Sequence, residues 1–199
     1  MSRRFILLLG LLLGHGLGLL TPLTAMSVRP PTFNYLVSSS DDIVRASVAD
    51  VESRWVTNDA GHRLIKTFVT IRVLERTADN TPDRLTLVFL GGTVGSESMR
   101  VGGMPTFRKG EKAWFFVRDN GKALCPLNFA THGAYPIVRD ATTQTDRVTR
   151  INGVPLSSSD AVSQPLHDHP ESHSSALAEG LTSSAFGEII RRELVLIAD

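Results

Sequence analysis

A strict alternation of apolar and polar residues within Leu64–Arg76 is the feature that most limits how this chain can fold. Successive side chains of a β-strand point to opposite faces, so a period of two predicts a strand with one buried face. The same period recurs at Leu85, Leu87 and Phe89. A helix would need apolar residues three or four positions apart, so this part of the chain is predicted to be β-structure.

Further stretches carry strand patterns of different kinds. Residues 43–56 form a long strand whose apolar phase shifts by one position near Val48–Asp50, which predicts a β-bulge. Lys112–Val117 is apolar on both faces, so we expect burial on both sides, with the C-terminal helix over one of them. Weaker patterns predict an edge strand around Met99 and Val101, strands at Ala123–Leu127 and Ala134–Val138, and a small hairpin within Val148–Val154.

Two helices frame the predicted strands. Thr32 can cap a short helix over residues 33–37, and a C-terminal helix begins near Thr182 or Ser183. Its apolar stripe comprises Phe186, Ile189, Ile190 and Leu194. Five or so bulged strands joined mostly by hairpins predict a mainly β fold: a small antiparallel OB-like barrel with a short N-terminal helix and one C-terminal helix after a linker. A β-sandwich is the alternative.

The first 25 residues carry the pattern of a secretory signal peptide. Arg3 and Arg4 precede an apolar run over residues 5–20, and Ala25 offers a small residue at a cleavage point. The run is shorter than the roughly 20 residues of a membrane-spanning helix, which favours cleavage over retention as an anchor. We therefore expect a periplasmic or secreted protein. The paired arginines leave both the general secretory and the twin-arginine routes open.

Changes in composition predict the domain organisation. The expected segments are a signal peptide at 1–25, a β-barrel-like domain at 26–156, a Ser/His/Pro linker at 157–178 and a C-terminal helix at 179–199. The apolar fraction of 42% is enough for one core. Loss of Arg3 and Arg4 with the signal would change the net charge from +1 to −1. A nearly neutral chain with no basic patch does not indicate nucleic-acid binding.

The glycine-rich stretch Gly91–Gly103 is the leading candidate for a binding site. It lacks the terminal Lys and Ser/Thr of a phosphate-binding loop, and no helix pattern follows it, so nucleotide binding is not predicted. Glycines here favour close backbone approach where a strand bends. Trp55 ends the first hairpin, where an aromatic ring can anchor a partner. The candidate binding residues are Trp55, Thr93, Arg100, Met104 and Arg108.

A second candidate site lies in the predicted linker, where the sequence is HDHPESH. His167, His169 and His173 are the candidate metal ligands, because imidazole groups at such spacing can hold zinc, copper or nickel. Pro170 and the polar surroundings provide no rigid shell around them, so a solvated tract is the favoured interpretation. No cofactor is predicted.

Candidate nucleophiles are few. Cys125 is the only cysteine, so no internal disulfide can form, and with His132 it makes the one nearby Cys/His pair. Its neighbours Pro126 and Leu127 are apolar, which favours a small core residue over a reactive thiolate. No G-x-S-x-G or H-E-x-x-H motif is present. No catalytic residue is predicted, and a non-enzyme is the favoured interpretation.

Several motifs together carry a family resemblance. They are DDIVRASV at Asp41–Val48, FVTIRVLE at Phe68–Glu75, LTLVFLGGTVG at Leu85–Gly95 and GMPTFRKGEK at Gly103–Lys112. The chain resembles an uncharacterised secreted bacterial β-domain family, whose members stand alone or precede matrixin-like zinc proteases. The resemblance implies export and a β-barrel-like module, and it carries over no catalytic residue. The zinc motif of the protease-linked members is absent from this sequence.

These observations predict an exported, non-catalytic β-domain that is a binding or accessory module of the cell envelope or secreted fraction. The expected partner is a protein or peptide of the envelope, with no nucleic acid and no membrane span after signal cleavage. The alternatives are an envelope structural or metal-handling protein that uses the His167–His173 tract and, less favoured, a hydrolase.

Overall fold

The computed structural model describes residues 29–166 and 177–198. The predicted signal peptide and the candidate metal ligands His167, His169 and His173 lie outside the described residues. Within them the fold is mainly β, as predicted, with one short N-terminal α-helix and one C-terminal α-helix.

The helices and strands follow one another closely along the chain. The helices are α1 (Phe33–Ser38) and α2 (Ser183–Ala198). The strands are β1 (Asp42–Thr57), β2 (Arg63–Arg76), β3 (Arg84–Leu90), β4 (Gly92–Val94), β5 (Glu97–Met99), β6 (Lys112–Val117), β7 (Ala134–Arg139) and β8 (Asp146–Val148). Six of them form an antiparallel sheet in the order β3-β2-β1-β6-β7-β8, while β4 and β5 pair as a separate two-stranded ribbon.

The six-stranded order is open rather than closed, since no ladder joins β3 to β8 in the described part of the chain. The segment after β6 nevertheless returns to the outer edge of β3. The Leu90 amide donates to the Leu124 carbonyl at 2.8 Å. The Asn120 side chain accepts from the Val88 amide at 3.1 Å and donates to the Thr86 carbonyl at 2.8 Å. This segment therefore covers the edge that β3 would otherwise expose.

The predicted bulge is present in β1. The pairing of β1 with β2 shifts register between Val48 and Asp50, and again between Arg45 and Ala46. An extra residue on one strand turns the following side chains to the other face and bends the strand. The bend lets the first half of β1 pair with β6 while its second half continues alongside β2 alone.

Strand β6 is buried on both faces, as its sequence predicts. Trp114 and Phe116 belong to a core beneath the helices, while Ala113, Phe115 and Val117 belong to a second core on the opposite face. The alternation of side chains along a strand explains this division.

The C-terminal helix seals the first core. Of the two candidate capping residues, Thr182 and Ser183, it is Thr182 that accepts a hydrogen bond from the Ala185 amide, at 3.1 Å. The Phe186 ring lies 6.1 Å from that of Trp114 and 5.3 Å from that of Tyr135, centroid to centroid. Trp114 Nε1 also donates to Ser183 Oγ at 3.2 Å, so the indole is both packed and hydrogen-bonded.

Two of the weaker strand predictions were wrong in detail. Ala123–Leu127 is not a strand, and a single bridge joins its Leu127 to Val117. The segment forms no continuous ladder because its hydrogen bonds are divided between β3 and β6. The small hairpin predicted within Val148–Val154 is present in minimal form: one antiparallel bridge joins Thr149 to Pro155 across the turn, and the Arg150 amide donates to the Val154 carbonyl at 2.7 Å. The edge strand expected around Met99 ends at that residue and pairs with β4, which the sequence did not reveal.

Part of the predicted linker is structured. Residues 159–163 form a 3-10 helix whose Ala161 and Val162 are buried in the core beneath the helices. Within residues 29–166 and 177–198, no helix combines the length and the apolar character needed to cross a membrane.

Candidate functional site

A cleft of about 550 Å³ opens where the β4–β5 ribbon crosses the sheet. Its floor is formed by β1, β2 and β3, one wall by the ribbon and the other by the segment 100–107. The predicted glycine-rich stretch therefore lines a cleft instead of only turning a corner. The floor residues are Val51, Ser53, Thr67, Val69 and Phe89.

The floor is built from cross-strand pairs. Val51 lies opposite Val69, and Ser53 lies opposite Thr67, which in turn lies opposite Phe89 on β3. Because these residues alternate along their strands, all five side chains lie on the same face as the second core. The core is continuous beneath Val69 and Phe89, whereas Val51 is 36% exposed at the open end.

Hydrogen bonds fix the ribbon to this floor. The Gly91 amide donates to the Ile65 carbonyl at 2.8 Å, and Thr67 Oγ1 donates to the Gly91 carbonyl at 2.7 Å. Ser53 Oγ lies 2.8 Å from Thr67 Oγ1. A Cβ atom at Gly92, whose φ is +134°, would collide with the Ser53 and Thr67 hydroxyls. Glycine thus serves close backbone approach here, and a strand rather than a helix follows it.

Phe107 holds the opposite wall in place. Its ring centroid lies 5.7 Å from that of Phe89 and 5.5 Å from that of Phe115. Aromatic pairs at such distances stabilise a contact beyond the area that they bury. The segment before Phe107 is therefore attached to the second core at one point, with Val101 and Met104 half-buried along the cleft.

The structure brings three of the five candidate binding residues together. Thr93, Arg100 and Met104 line the cleft. Arg108 lies just beyond it, and its amide donates to Glu111 Oε2 at 2.9 Å. Trp55 does not line the cleft: its half-buried ring lies under the Arg63 guanidinium, 4.6 Å from the ring centroid.

Sequence reasoning missed the floor of the cleft. A signal for it was present, because Ser53 and Thr67 are polar residues on the otherwise apolar face of their strands. Polar residues on a core-facing side mark a place where the core ends or where another backbone approaches. Here the ribbon approaches them.

The pKa shifts of Cys125 and His132 disfavour a thiolate–imidazole pair. Burial raises the pKa of the Cys125 thiol, which disfavours the thiolate that a nucleophile requires. Burial first, and the nearby positive charge of Arg150 second, lower the pKa of His132 to about 4. An imidazole with this pKa is a weak proton acceptor at neutral pH. Both groups fit the interior of the protein better than a reaction centre.

Arg150 itself is buried and has a structural role. Its guanidinium donates to the carbonyl of Pro165 at 3.0 Å and to the carbonyl of Gln164. Burial lowers the pKa of Arg150 and raises that of the neighbouring Tyr135. The hydrogen bonds from the charged Arg150 guanidinium therefore hold in place the chain that follows the 3-10 helix at residues 159–163.

A second cleft, of about 540 Å³, is lined in part by the turn that contains Asp140. Its acidic residue, Asp140, accepts hydrogen bonds from Thr143 Oγ1 at 2.8 Å and from the Thr142 amide at 2.9 Å. Hydrogen bonds from Thr143 and then Thr142 lower the pKa of Asp140. The carboxylate is thus used by its own turn.

No described residues form a metal centre: within 29–166 and 177–198, no group of three or more His, Cys, Asp or Glu side chains is arranged to hold an ion. The metal hypothesis for His167, His169 and His173 concerns residues outside that range and stays a prediction.

No protein-family model matches the chain, and no curated protein matches it significantly. The functional conclusion therefore depends on the geometry of the first cleft.

Proposed function

We propose that this protein is an exported, non-catalytic β-domain that works as a binding or accessory module of the cell envelope or secreted fraction. The cleft between the β4–β5 ribbon and the sheet is its binding site. The observation that carries this proposal is a cleft of about 550 Å³ whose floor combines apolar side chains with the hydroxyls of Ser53 and Thr67, and whose mouth carries further polar groups.

The size and chemistry of the cleft support the proposal. Ligand sites in proteins have volumes of roughly 300–1,000 Å³ and combine apolar walls with a small number of polar groups. Val51 on the floor and the half-buried Val101 and Met104 on the wall provide apolar surface, while Thr93, Ser98 and Arg100 provide polar groups near the mouth. The floor belongs to paired strands, which keep a binding surface rigid.

Export and the finer fold are parts of the same proposal. Export is supported by Arg3 and Arg4 before an apolar run, and by the resemblance to secreted bacterial β-domains. A partly open, OB-like barrel is supported by the return of Asn120 and Leu124 to the edge of β3. In such barrels a cleft on one side of the curved sheet is a common place for ligands.

A capture experiment with a blocked cleft tests the proposal. Thr106 is exposed and lines the cleft, so Thr106→Trp should fill part of its volume without disturbing the core. Thr57 is exposed at the end of β1 and does not line the cleft, which makes Thr57→Trp the matched control.

The immobilised wild-type protein and both variants are incubated with envelope extract, and bound proteins are quantified by mass spectrometry. The proposal requires a partner that wild type and Thr57→Trp retain and Thr106→Trp loses. Equal retention by all three proteins, or none by any, contradicts it.

A further inference from the structure

The backbone of the β4–β5 ribbon is available for pairing. In the described part of the chain, β4 and β5 form ladders only with each other. Outside that ladder, residues 93–100 make no backbone hydrogen bond to another described segment. A strand with unpaired amide and carbonyl groups is a template for an added extended segment. The ribbon therefore favours a peptide in extended conformation over a compact ligand.

The floor beside the ribbon suits the alternating side chains of such a peptide. Side chains two residues apart in an extended segment point in the same direction, about 7 Å apart. One of them can lie over Val51, which is 36% exposed at the open end of the floor. The Thr93 and Ser98 hydroxyls, 3.1 Å apart on the ribbon, offer further polar contacts.

The charge at the cleft has one sign. Arg100 is the only charged side chain among the described residues that line it. It is exposed, and it has no ion-pair partner among the described residues. Beyond the wall, Arg108 and Lys109 are followed by Glu111, whose carboxylate accepts from the Arg108 amide. The nearest acidic residue on the ribbon, Glu97, pairs with Val94 near the tip and does not line the cleft.

Resting on the proposed function, we infer that the cleft binds an extended peptide segment in which an acidic residue accompanies an apolar one. The apolar side chain packs on Val51 at the open end of the floor. The carboxylate binds the Arg100 guanidinium, whose planar group can donate two parallel hydrogen bonds to it.

Selection from a library of random linear peptides displayed on phage tests this inference. The baits are the purified wild-type protein and its Arg100→Glu, Arg100→Gln and Arg84→Glu variants. Arg84 is exposed on the outer face of β3 and does not line the cleft, so it controls for net charge. Wild type and Arg84→Glu should enrich peptides with an acidic residue near an apolar one.

The affinities of a selected peptide give the quantitative test. Arg100→Glu should weaken binding about tenfold or more, and Arg100→Gln should weaken it less, because the first variant repels the carboxylate and the second only fails to attract it. Arg100→Glu should also enrich peptides with Lys or Arg in place of the acidic residue. Replacing Glu by Gln in the peptide should reproduce the loss with the wild-type protein.

The outcomes separate this inference from the proposed function. If peptides bind and Thr106→Trp blocks them, but the Arg100 variants keep the same acidic preference, the carboxylate contact is wrong and the binding cleft stands. If no linear peptide is enriched while Thr106→Trp still loses an envelope partner, the extended-peptide inference is overturned alone. If Thr106→Trp changes neither binding, both fail.

Discussion

The two faces of the central sheet differ in how completely they are covered. On the face beneath the helices, Phe186 reaches Trp114 and Tyr135, and all three side chains are almost fully buried. On the other face, Phe107 covers only the middle of the core, and beyond it the sheet floor opens into the cleft. One sheet thus supplies a sealed core on one side and an open binding surface on the other, because only one side receives a full-length helix.

The largest expected effect comes from opening the sealed face. Phe186→Ala should lower the free energy of unfolding by about 3–5 kcal/mol, as truncation of a fully buried aromatic ring does. Leu196→Ala, at a side chain that is 71% exposed on the same helix, should change it by less than about 0.5 kcal/mol. Urea unfolding followed by tryptophan fluorescence measures both. If Phe186→Ala lowered the free energy of unfolding only slightly, the face beneath the helices would not be more tightly packed than the other face.

The second prediction concerns pH. Burial, and then the charge of Arg150, lower the pKa of His132 to about 4 in the folded protein, from the ordinary histidine value of 6.5. The contribution of the neutral His132 to the free energy of unfolding is fully present above pH 6.5. It is lost as the pH falls toward 4, because the unfolded chain then binds a proton at this imidazole and the folded chain does not. Between pH 6.5 and pH 4, the free energy of unfolding should fall by about 2–3 kcal/mol from this group.

Unfolding curves of wild type and His132→Gln between pH 7.5 and pH 4 isolate this contribution, with His62→Gln as the exposed control. The His132 variant should be less sensitive to acid, whatever its stability at neutral pH. Parallel pH profiles for wild type and His132→Gln would show that the imidazole is not buried.

A smaller effect is expected on the open face. Phe107→Ala should lower the free energy of unfolding by about 1–3 kcal/mol, because the ring is only partly buried. The same change should weaken ligand capture, since the wall of the cleft loses its attachment to Phe89 and Phe115. Phe186→Ala should leave capture by the folded fraction unchanged. A variant at Phe107 that loses stability and keeps full capture would contradict the placement of the site.

The smallest effect tests how β3 is covered at its outer edge. Asn120→Ala removes one hydrogen bond to the Val88 amide and one to the Thr86 carbonyl, so a loss of about 1–2 kcal/mol is expected. Hydrogen–deuterium exchange should become faster at Val88 and remain unchanged at Val69 in the middle of the sheet. Thr142→Ala, at another exposed turn, is the control. Unchanged exchange at Val88 would remove the main support for a barrel-like closure.

The sequence predicted the elements whose cause is local. The period of two in β2 and β3, the phase shift in β1 and the two-faced burial of β6 are each visible within one segment, and the structure confirms them. The sequence also indicated Thr32 and Thr182 as capping residues, because a cap acts within one turn of its helix.

The elements that the sequence did not predict depend on distant parts of the chain. Ala123–Leu127 has an extended, apolar pattern, yet its hydrogen bonds go partly to β3, more than 30 residues earlier. The cleft floor needs the register of Ser53 against Thr67, which the bulge in β1 sets. Trp55 was expected to be available to a partner, and only the pairing of β1 with β2 brings Arg63 over its ring.

Strand β6 has a consequence for how the molecule comes apart. Ala113, Phe115 and Val117 belong to one hydrophobic cluster, and Trp114 and Phe116 belong to the other, so β6 contributes buried side chains to both. Separating either cluster would bring aromatic rings of β6 into water, which raises the free energy of every half-unfolded species. We therefore expect one sharp transition for the described fold, with both tryptophans reporting the same midpoint.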